Sequence, residues 1–553
     1  MSASPERLLV HRSALMRATG HVLPLAILSA LVVIWAWRMG QLLNPAYFSV
    51  YNDDGLYMIL ARNLWSGLGY AIDGQLPRFP IGYPLLLSPL WGMSESLQGF
   101  VASTVLLNVA LVAGTVLMMA WYWRRHVRAS WGLTMAAVML FLWQPLVVNL
   151  TQAALSEMFF LFVVLGIVLA VGKLADPVLD SPRGFLIVGI LLGGAMLIRY
   201  AGISLVAAFI VWAGIERRWK SLLMAGSGFL LVWGPWMVFR LSLPGDNYTS
   251  AFSDSFGIHG LAGGPVRAFA LSTYLAFGQA LPSFFWDRWA HVLPSSFEGR
   301  VLSTLGLACG SLIALALLQA SRACMRRELP SAVRLGSVFV LVTVAMDVTW
   351  SLGFGDLGGW QHARLLLPTL PFLIHVVIGV EQPLGRVQES RIAALIGVLA
   401  CLAAHPILTA SRPVEMVDDR AQALQQSLAA ISLLTGPGAV IVSDLPPLID
   451  LVTGRRTLMW SPVPASNLSN LFRYRETWLL VDCLTPEIDW DTLKARNPRT
   501  QFLLSVSKQL PGVLEIAYRN PASGMALYRV NRKRFFSLLR QPPIQRSQAH
   551  VSS

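Results

Sequence analysis

The sequence is poor in charge. Only 13% of its 553 residues are Asp, Glu, Lys or Arg, and 55% are hydrophobic. Soluble domains carry about 25% charged residues. The shortfall is concentrated in long apolar runs, which excludes a single oversized soluble core. Cysteine is scarce as well. Cys309, Cys324 and Cys401 lie in or beside apolar segments, and Cys483 stands alone in the polar C-terminal part. That distribution offers neither a disulfide framework nor zinc-ligand spacing. Acidic residues number 29 against 43 basic ones, a net charge of +14. The basic residues form no continuous stripe, so a nucleic-acid partner is not expected. A repeat of 20–50 residues is missing. So are a Walker loop, a GxSxG elbow, an HExxH pair and a GxGxxG turn in usable context.

What is present is a series of apolar runs, each near the roughly 20 residues needed to cross about 30 Å of hydrocarbon. The first covers 22–39, and others lie near 97–123, 131–149, 153–172, 185–198, 201–215, 221–241, 301–320, 333–352, 365–380 and 392–409. The expectation is a polytopic α-helical membrane protein with about eleven spans, since backbone polar groups in lipid must be satisfied within a segment. The runs at 185–198 and 201–215 are short: either two half-length helices or one long one. Arg7, Arg12 and Arg17 precede the first run. That run is long, carries Trp35 and Trp37 and lacks a small-residue cleavage site, so it reads as a retained span and not a signal peptide. Arg124/Arg125/Arg128, Lys173/Arg183, Arg217/Arg218/Lys220, Arg322/Arg326/Arg327/Arg334 and Arg386/Arg391 then fall on the cytoplasmic side. Two longer loops, about 41–96 and 242–300, and the C-terminus fall outside.

Residues 1–410 thus read as the membrane domain and 411–531 as an extracytoplasmic α/β domain, followed by a basic tail, 532–553, expected to be disordered. Strands are expected at Ala439–Ser443, Thr457–Trp460, Thr477–Asp482, Gln501–Val506, Val513–Tyr518 and Met525–Val530, with helices at Pro447–Thr453 and Asp489–Arg496.

The first outer loop carries the chemistry. Asp53 and Asp54 are adjacent carboxylates at the expected start of an amphipathic helix. Either could be a plain N-cap. The pair opens the pattern D-D-x-x-Y-x-x-x-A-x-N-L, followed by Gly67-x-Gly69-Tyr70 and Pro80-x-Gly82-Tyr83-Pro84-Leu85-Leu86-Leu87. Further on come Leu155-Ser156-Glu157, Arg199-Tyr200-Ala201-Gly202, Gln361-His362-Ala363-Arg364 with Leu367-Pro368-Thr369-Leu370-Pro371, and Ser443-Asp444-x-Pro446 with Thr453-Gly454-Arg455.

In this order and sidedness the motifs resemble the GT-C glycosyltransferases, and within them the bacterial relatives of protein O-mannosyltransferases and aminoarabinose transferases. The resemblance implies transfer of a sugar from a polyprenyl-phosphate-linked donor, within the membrane, to an acceptor hydroxyl on the external face. By position Asp53 matches the family's acidic base, with Asp54 orienting it. A carboxylate can take a hydroxyl proton as the new bond forms, and the phosphate leaving group requires cationic stabilisation. Arg364, His362 and Arg199 are assigned to the donor phosphate, and Glu157, Tyr57 and Tyr83 to the substrate pocket. The loop at 242–300, with Asp246, Asp254, His259, Asp287, Arg288 and His291, would cover the donor.

Structural readings stand beside these. Arg364 could anchor a helix end by snorkelling, His362 could be an interfacial histidine, and Arg199 and Glu157 could form a purely structural pair. Asp347, inside an apolar run, calls for a buried partner, and an Arg is expected. Asp53-Asp54 is not a D-x-D, so no metal is assigned, although a divalent metal stays compatible with the family. The expected partners are the lipid-linked sugar, a glycan, lipid or protein acceptor, and membrane lipids. The Arg-over-Lys bias suits a GC-rich genome and so a bacterium, which makes the inner membrane the expected location. The rival readings are a transporter or flippase of lipid-linked sugars, and a non-catalytic cell-envelope assembly protein.

Overall fold

The computed structural model describes residues 5–42, 52–72, 77, 79–175, 181–242, 273–281, 284, 297–354, 359–378, 386–409, 426–443, 446–459, 476–482, 512–520, 525–531, 533–534 and 537. The chain divides into two bodies. One comprises Met1–Leu43, Asn63–Met93 and Val101–Ala410; the other comprises Asn44–Arg62, Ser94–Phe100 and Ser411–Ser553.

The larger body is helical. The helices in chain order, of which α2 lies mostly and α4 at its start in the second body, are α1 (Pro5–Leu42), α2 (Asn52–Trp65), α3 (Gly82–Met93), α4 (Leu97–Tyr122), α5 (Trp131–Leu142), α6 (Pro145–Thr151), α7 (Glu157–Leu174), α8 (Pro182–Ile198), α9 (Gly202–Glu216) and α10 (Trp219–Ser242). They continue with α11 (Phe297–Met325), α12 (Ser331–Phe354), α13 (Gly359–Leu366), α14 (Leu370–Ile378) and α15 (Arg386–Thr409). Each apolar run named above is mostly helical, with non-helical residues at 143–144 and 153–156, and 379–380 outside the described residues. Six of these helices are long and apolar enough to cross a membrane, or seven if the bent pair α5–α6 counts as one span. Among the described residues the count is therefore six or seven, and the expected figure of about eleven is not confirmed. The difference lies in segments such as 183–198, 202–216 and 362–378, which are apolar but short of a full crossing. Val22, Leu106, Leu230, Leu231 and Val238 are exposed, an apolar exterior suited to lipid and not to water.

Packing follows small residues. α8 and α10 run together because Gly189 and Gly228 let their backbones approach. A Cβ on Gly189 would sit 1.9 Å from the Ala225 carbonyl oxygen. Several of the arginines read as cytoplasmic also satisfy helix C-termini. Arg218 donates to the Ala175 carbonyl at 2.8 Å, and Arg327 to that of Ile215. Arg334 pairs with Glu216.

The second body holds a five-stranded sheet of β1 (Val440–Ser443), β2 (Arg456–Met459), β3 (Thr477–Asp482), β4 (Leu514–Asn520) and β5 (Met525–Val530), in the order β2-β1-β3-β5-β4. β1 pairs parallel with β2 and β3, while β5 runs antiparallel to β3 and β4. The parallel β1–β2 link crosses over through α16 (Pro446–Thr453), as a parallel connection requires. One face buries Ile441, Trp478, Leu480, Met525 and Leu527 against Leu428, Ile431 and Ile449. The expected strand at 501–506, the helix at 489–496 and most of the 532–553 tail lie outside the described residues, as do Cys483 and Asp444.

Candidate functional site

The site in the helical body starts from a broken helix. Ser130 caps α5, its hydroxyl accepting from the Leu133 N–H at 3.3 Å. α5 stops at Trp143, and Gln144 caps α6 by accepting from Val147 N–H at 2.9 Å, with Pro145 in the first turn where its missing N–H costs nothing. The two helices bend by 55° at that break. Beyond α6 the chain is non-helical, and a wholly buried Asn108 on α4 holds it there. Its amide donates to the carbonyls of Thr151 (3.2 Å) and Ala153 (2.8 Å). This fixture sets Ser156 and the start of α7, and so places Glu157. The sequence signal for Asn108 is a lone amide within an apolar run.

Two arginines converge on Glu157. Arg199 terminates α8 in extended conformation, its own N–H donating to Ala195 carbonyl at 3.0 Å. Its Nη1 lies 2.7 Å from Glu157 Oε1 and 3.4 Å from Ser156 Oγ. Arg364 on α13 reaches the same oxygen with Nε at 2.8 Å and Nη2 at 2.5 Å. The Glu157 side chain is 1% exposed, with Arg199 at 17% and Arg364 at 12%. Its second oxygen, Oε2, is buried and accepts no hydrogen bond among the described residues. Two guanidiniums on one carboxylate make a three-residue cluster with one excess positive charge. Such a group is costly to bury and suited to binding an anion through charge-assisted hydrogen bonds.

His362 and Asp347 form a neighbouring pair. His362 Nδ1 lies 2.8 Å from Asp347 Oδ2, and both side chains are essentially inaccessible. An arginine was expected for Asp347, and among the described residues its partner is His362: α13 presents His362 to α12, while Arg364 on the same short helix goes to Glu157. His362 is accordingly not an interfacial histidine. It is buried, and a carboxylate orients its ring.

The P-x-G-Y-P motif has a steric reason. Gly82 starts α3 against the end of α8, where a Cβ would meet the Leu197 carbonyl oxygen at 2.6 Å and carbon at 2.8 Å. Leu197 lies just before Arg199, so the glycine lets α3 support the strand-like exit that carries the guanidinium. Tyr83 beside it is fully buried. Upstream, Asn63 Nδ2 donates to the Ala71 carbonyl (2.7 Å) and Tyr70 hydroxyl to that of Phe79 (2.9 Å), while Gly67 and Gly69 take positive φ. We expect Gly82→Ala to lower stability by about 1–3 kcal/mol, the usual cost of overpacking against backbone. Gly194→Ala, with nothing within 4 Å of its Cβ position, should be neutral. Thermal unfolding of both variants in one lipid environment checks the contrast.

In the second body, Asp53 and Asp54 occupy the first turn of α2, where the helix dipole favours carboxylates. Asp53 is half-buried. Asp54 is buried, its Oδ1 accepting from Gly55 N–H at 2.7 Å. α2 was expected to be amphipathic, and its middle is buried on all faces. Tyr57, Met58, Ile59, Leu60 and Ala61 are all at most 4% exposed. Five consecutive buried positions exceed one turn, so the helix is enclosed on every side. The Thr453-Gly454-Arg455 motif is structural: Gly454 N–H closes α16 on the Asp450 carbonyl (2.8 Å), and Arg455 donates to the carbonyls of Ser432 and Thr435. Among the described residues no group of three His, Cys, Asp or Glu could hold a metal ion. Asp246, Asp254, His259, Asp287, Arg288 and His291 lie outside the described residues.

No protein-family model and no curated protein matches the sequence. Among solved structures, the chain is similar to ArnT from Cupriavidus metallidurans bound to undecaprenyl phosphate. That match has 13% identity and a TM-score of 0.44, over 91% of this chain and 97% of that one. It is also similar to the archaeal oligosaccharyltransferase AglB from Archaeoglobus fulgidus, in complex with an inhibitory peptide and a dolichol-phosphate. Here the identity is 14% and the TM-score 0.43, over 93% of this chain and 75% of that one. The chemistry assigned to this chain rests on its own residues.

Proposed function

We propose that the protein is a multi-pass membrane glycosyltransferase that moves a sugar from a polyprenyl-phosphate-linked donor to an acceptor hydroxyl on the external face of a bacterial inner membrane. The observation that carries this reading is the convergence of Arg199 and Arg364 on the buried Glu157 carboxylate. The excess positive charge, at the ends of short helices, is matched to a lipid-borne phosphate. Arg364 would offer its planar fork to phosphate oxygens as negative charge builds on the departing group. Glu157 orients both guanidiniums, which moves it from the substrate pocket to a supporting role. His362, aligned by Asp347, lies two residues from Arg364 on α13 and faces another side of that helix, so it would brace α13 and leave the phosphate to the two arginines. Asp53 would take the acceptor's proton as the glycosidic bond forms, with the electrons of the breaking sugar–oxygen bond leaving on the phosphate. Asp54 would fix the first turn of α2.

The test is donor binding. The protein in zwitterionic nanodiscs should bind undecaprenyl phosphate saturably. Arg364→Lys keeps the charge and loses the bidentate fork, so affinity should fall about tenfold, or about 1.4 kcal/mol. Equal affinity in the variant would remove the phosphate site from this cluster.

The 55° break between α5 and α6 favours a second reading as a lipid-linked-sugar transporter, since broken helices line transporter sites. Movement of a fluorescent polyprenyl-phosphate sugar across sealed vesicles, without acceptor and unaffected by Asp53→Asn, would support it.

A further inference from the structure

The chemistry above leaves the C-terminal domain without a part. Within the second body one ion pair gives it one. Asp53 and Asp54 are in the first turn of α2, and Arg62 is in its last. Arg62 Nη1 donates to Asp450 Oδ1 at 2.9 Å, across 388 residues of sequence. Both ends rest on fixed backbone. Leu60 and Ala61, just before Arg62, are fully buried. Ile449, just before Asp450, sits in the sheet's core, and the Asp450 carbonyl is held by Gly454 N–H. α16 itself packs on β1 and β2. Exposed ion pairs between mobile side chains contribute little, because ordering both chains offsets the attraction. Here the side chains are 25% and 16% exposed and spring from two rigid helices, so little ordering is left to oppose the bond.

We propose that Arg62 and Asp450 are positioning residues. The C-terminal domain grips the far end of α2 and thereby sets the orientation of the Asp53 carboxylate at its near end. A helix transmits such a constraint because its hydrogen-bonded backbone resists bending over the roughly two and a half turns from Arg62 to Asp53. The proposal deepens the function proposed above and rests on Asp53 being the base.

The experiment uses the full-length protein in nanodiscs, with Arg62→Asp, Asp450→Arg and the charge-swapped double variant. Hydrogen exchange is followed in residues 52–65, and kcat and donor KM are measured in parallel. Each single reversal should speed exchange in α2 and lower kcat by about tenfold each, with donor KM unchanged, because α2 opens more readily while the phosphate cluster is untouched. The swap should bring both readouts back to within about twofold of the parent, the signature of direct coupling. A merely structural pair would lower the unfolding temperature without this kcat-only effect. If a reversal does not fold, Arg62→Gln and Asp450→Asn take its place, with the same directions. Unchanged exchange in both single variants, or a swap that restores neither readout, would overturn the strut. If the parent transferred no sugar, the function would be wrong, and the exchange data alone would still decide whether the strut exists.

Discussion

Asp53→Asn should abolish sugar transfer while leaving donor binding intact. A positioned general base contributes about 10²–10⁴ in rate, and the amide cannot accept the acceptor's proton. Turnover should fall by that factor with undecaprenyl phosphate affinity unchanged, because the phosphate cluster of Glu157, Arg199 and Arg364 includes no α2 residue. Asp54→Asn should act differently. Asp54 is buried and engaged with Gly55 N–H, whereas Asp53 is only half-buried. Loss of Asp54 should lower the stability of α2 and reduce turnover less. If Asp54→Asn alone collapsed transfer, the roles would be reversed. If neither did, the acidic pair would be a helix N-terminus and nothing more. Acceptor-dependent release of polyprenyl phosphate reads all three cases.

Glu157→Gln should be the most destabilising single change in the helical body. It leaves two largely buried guanidiniums facing each other without their shared carboxylate, and breaking a buried ionic cluster from one side costs about 3–5 kcal/mol. The unfolding temperature in zwitterionic nanodiscs should drop accordingly. A second consequence separates a phosphate site from a structural ion pair. With its internal anion gone, the cluster should gain more from an added one. Saturating undecaprenyl phosphate should therefore raise the unfolding temperature of Glu157→Gln more than that of the parent, by ligand linkage. Equal shifts would mean that the cluster does not contact the lipid phosphate.

The particular residues show where sequence reasoning reached and where it stopped. The apolar runs located the helices, and strand patterning located β1, β3 and β5 within a residue or two, because hydrophobic periodicity is local. The acidic pair, Glu157, Arg199, Arg364 and Asp347 were all singled out because ionisable groups next to or inside apolar runs are expensive and therefore conspicuous. Their partners were not legible. Among the described residues Asp347 takes His362, where an arginine was expected, and Arg364 joins Arg199 on one oxygen. Asn108 went unused, although it fixes the turn before Glu157. Pairing depends on the crossing of α7, α8, α12 and α13, which close-approach glycines and a helix break decide, and neither leaves a periodic signal.

The sequence by itself determined that this is a helical membrane protein with a small α/β domain and an acidic pair at one helix start. It did so because apolar length and the alternation of strand and helix are properties of consecutive residues. Only the tertiary structure decided which charges neutralise which, that α2 is enclosed on all sides, and that Arg62 reaches Asp450. Those outcomes depend on atoms 15 to 388 residues apart in the chain meeting at about 3 Å, and no local pattern encodes such a meeting.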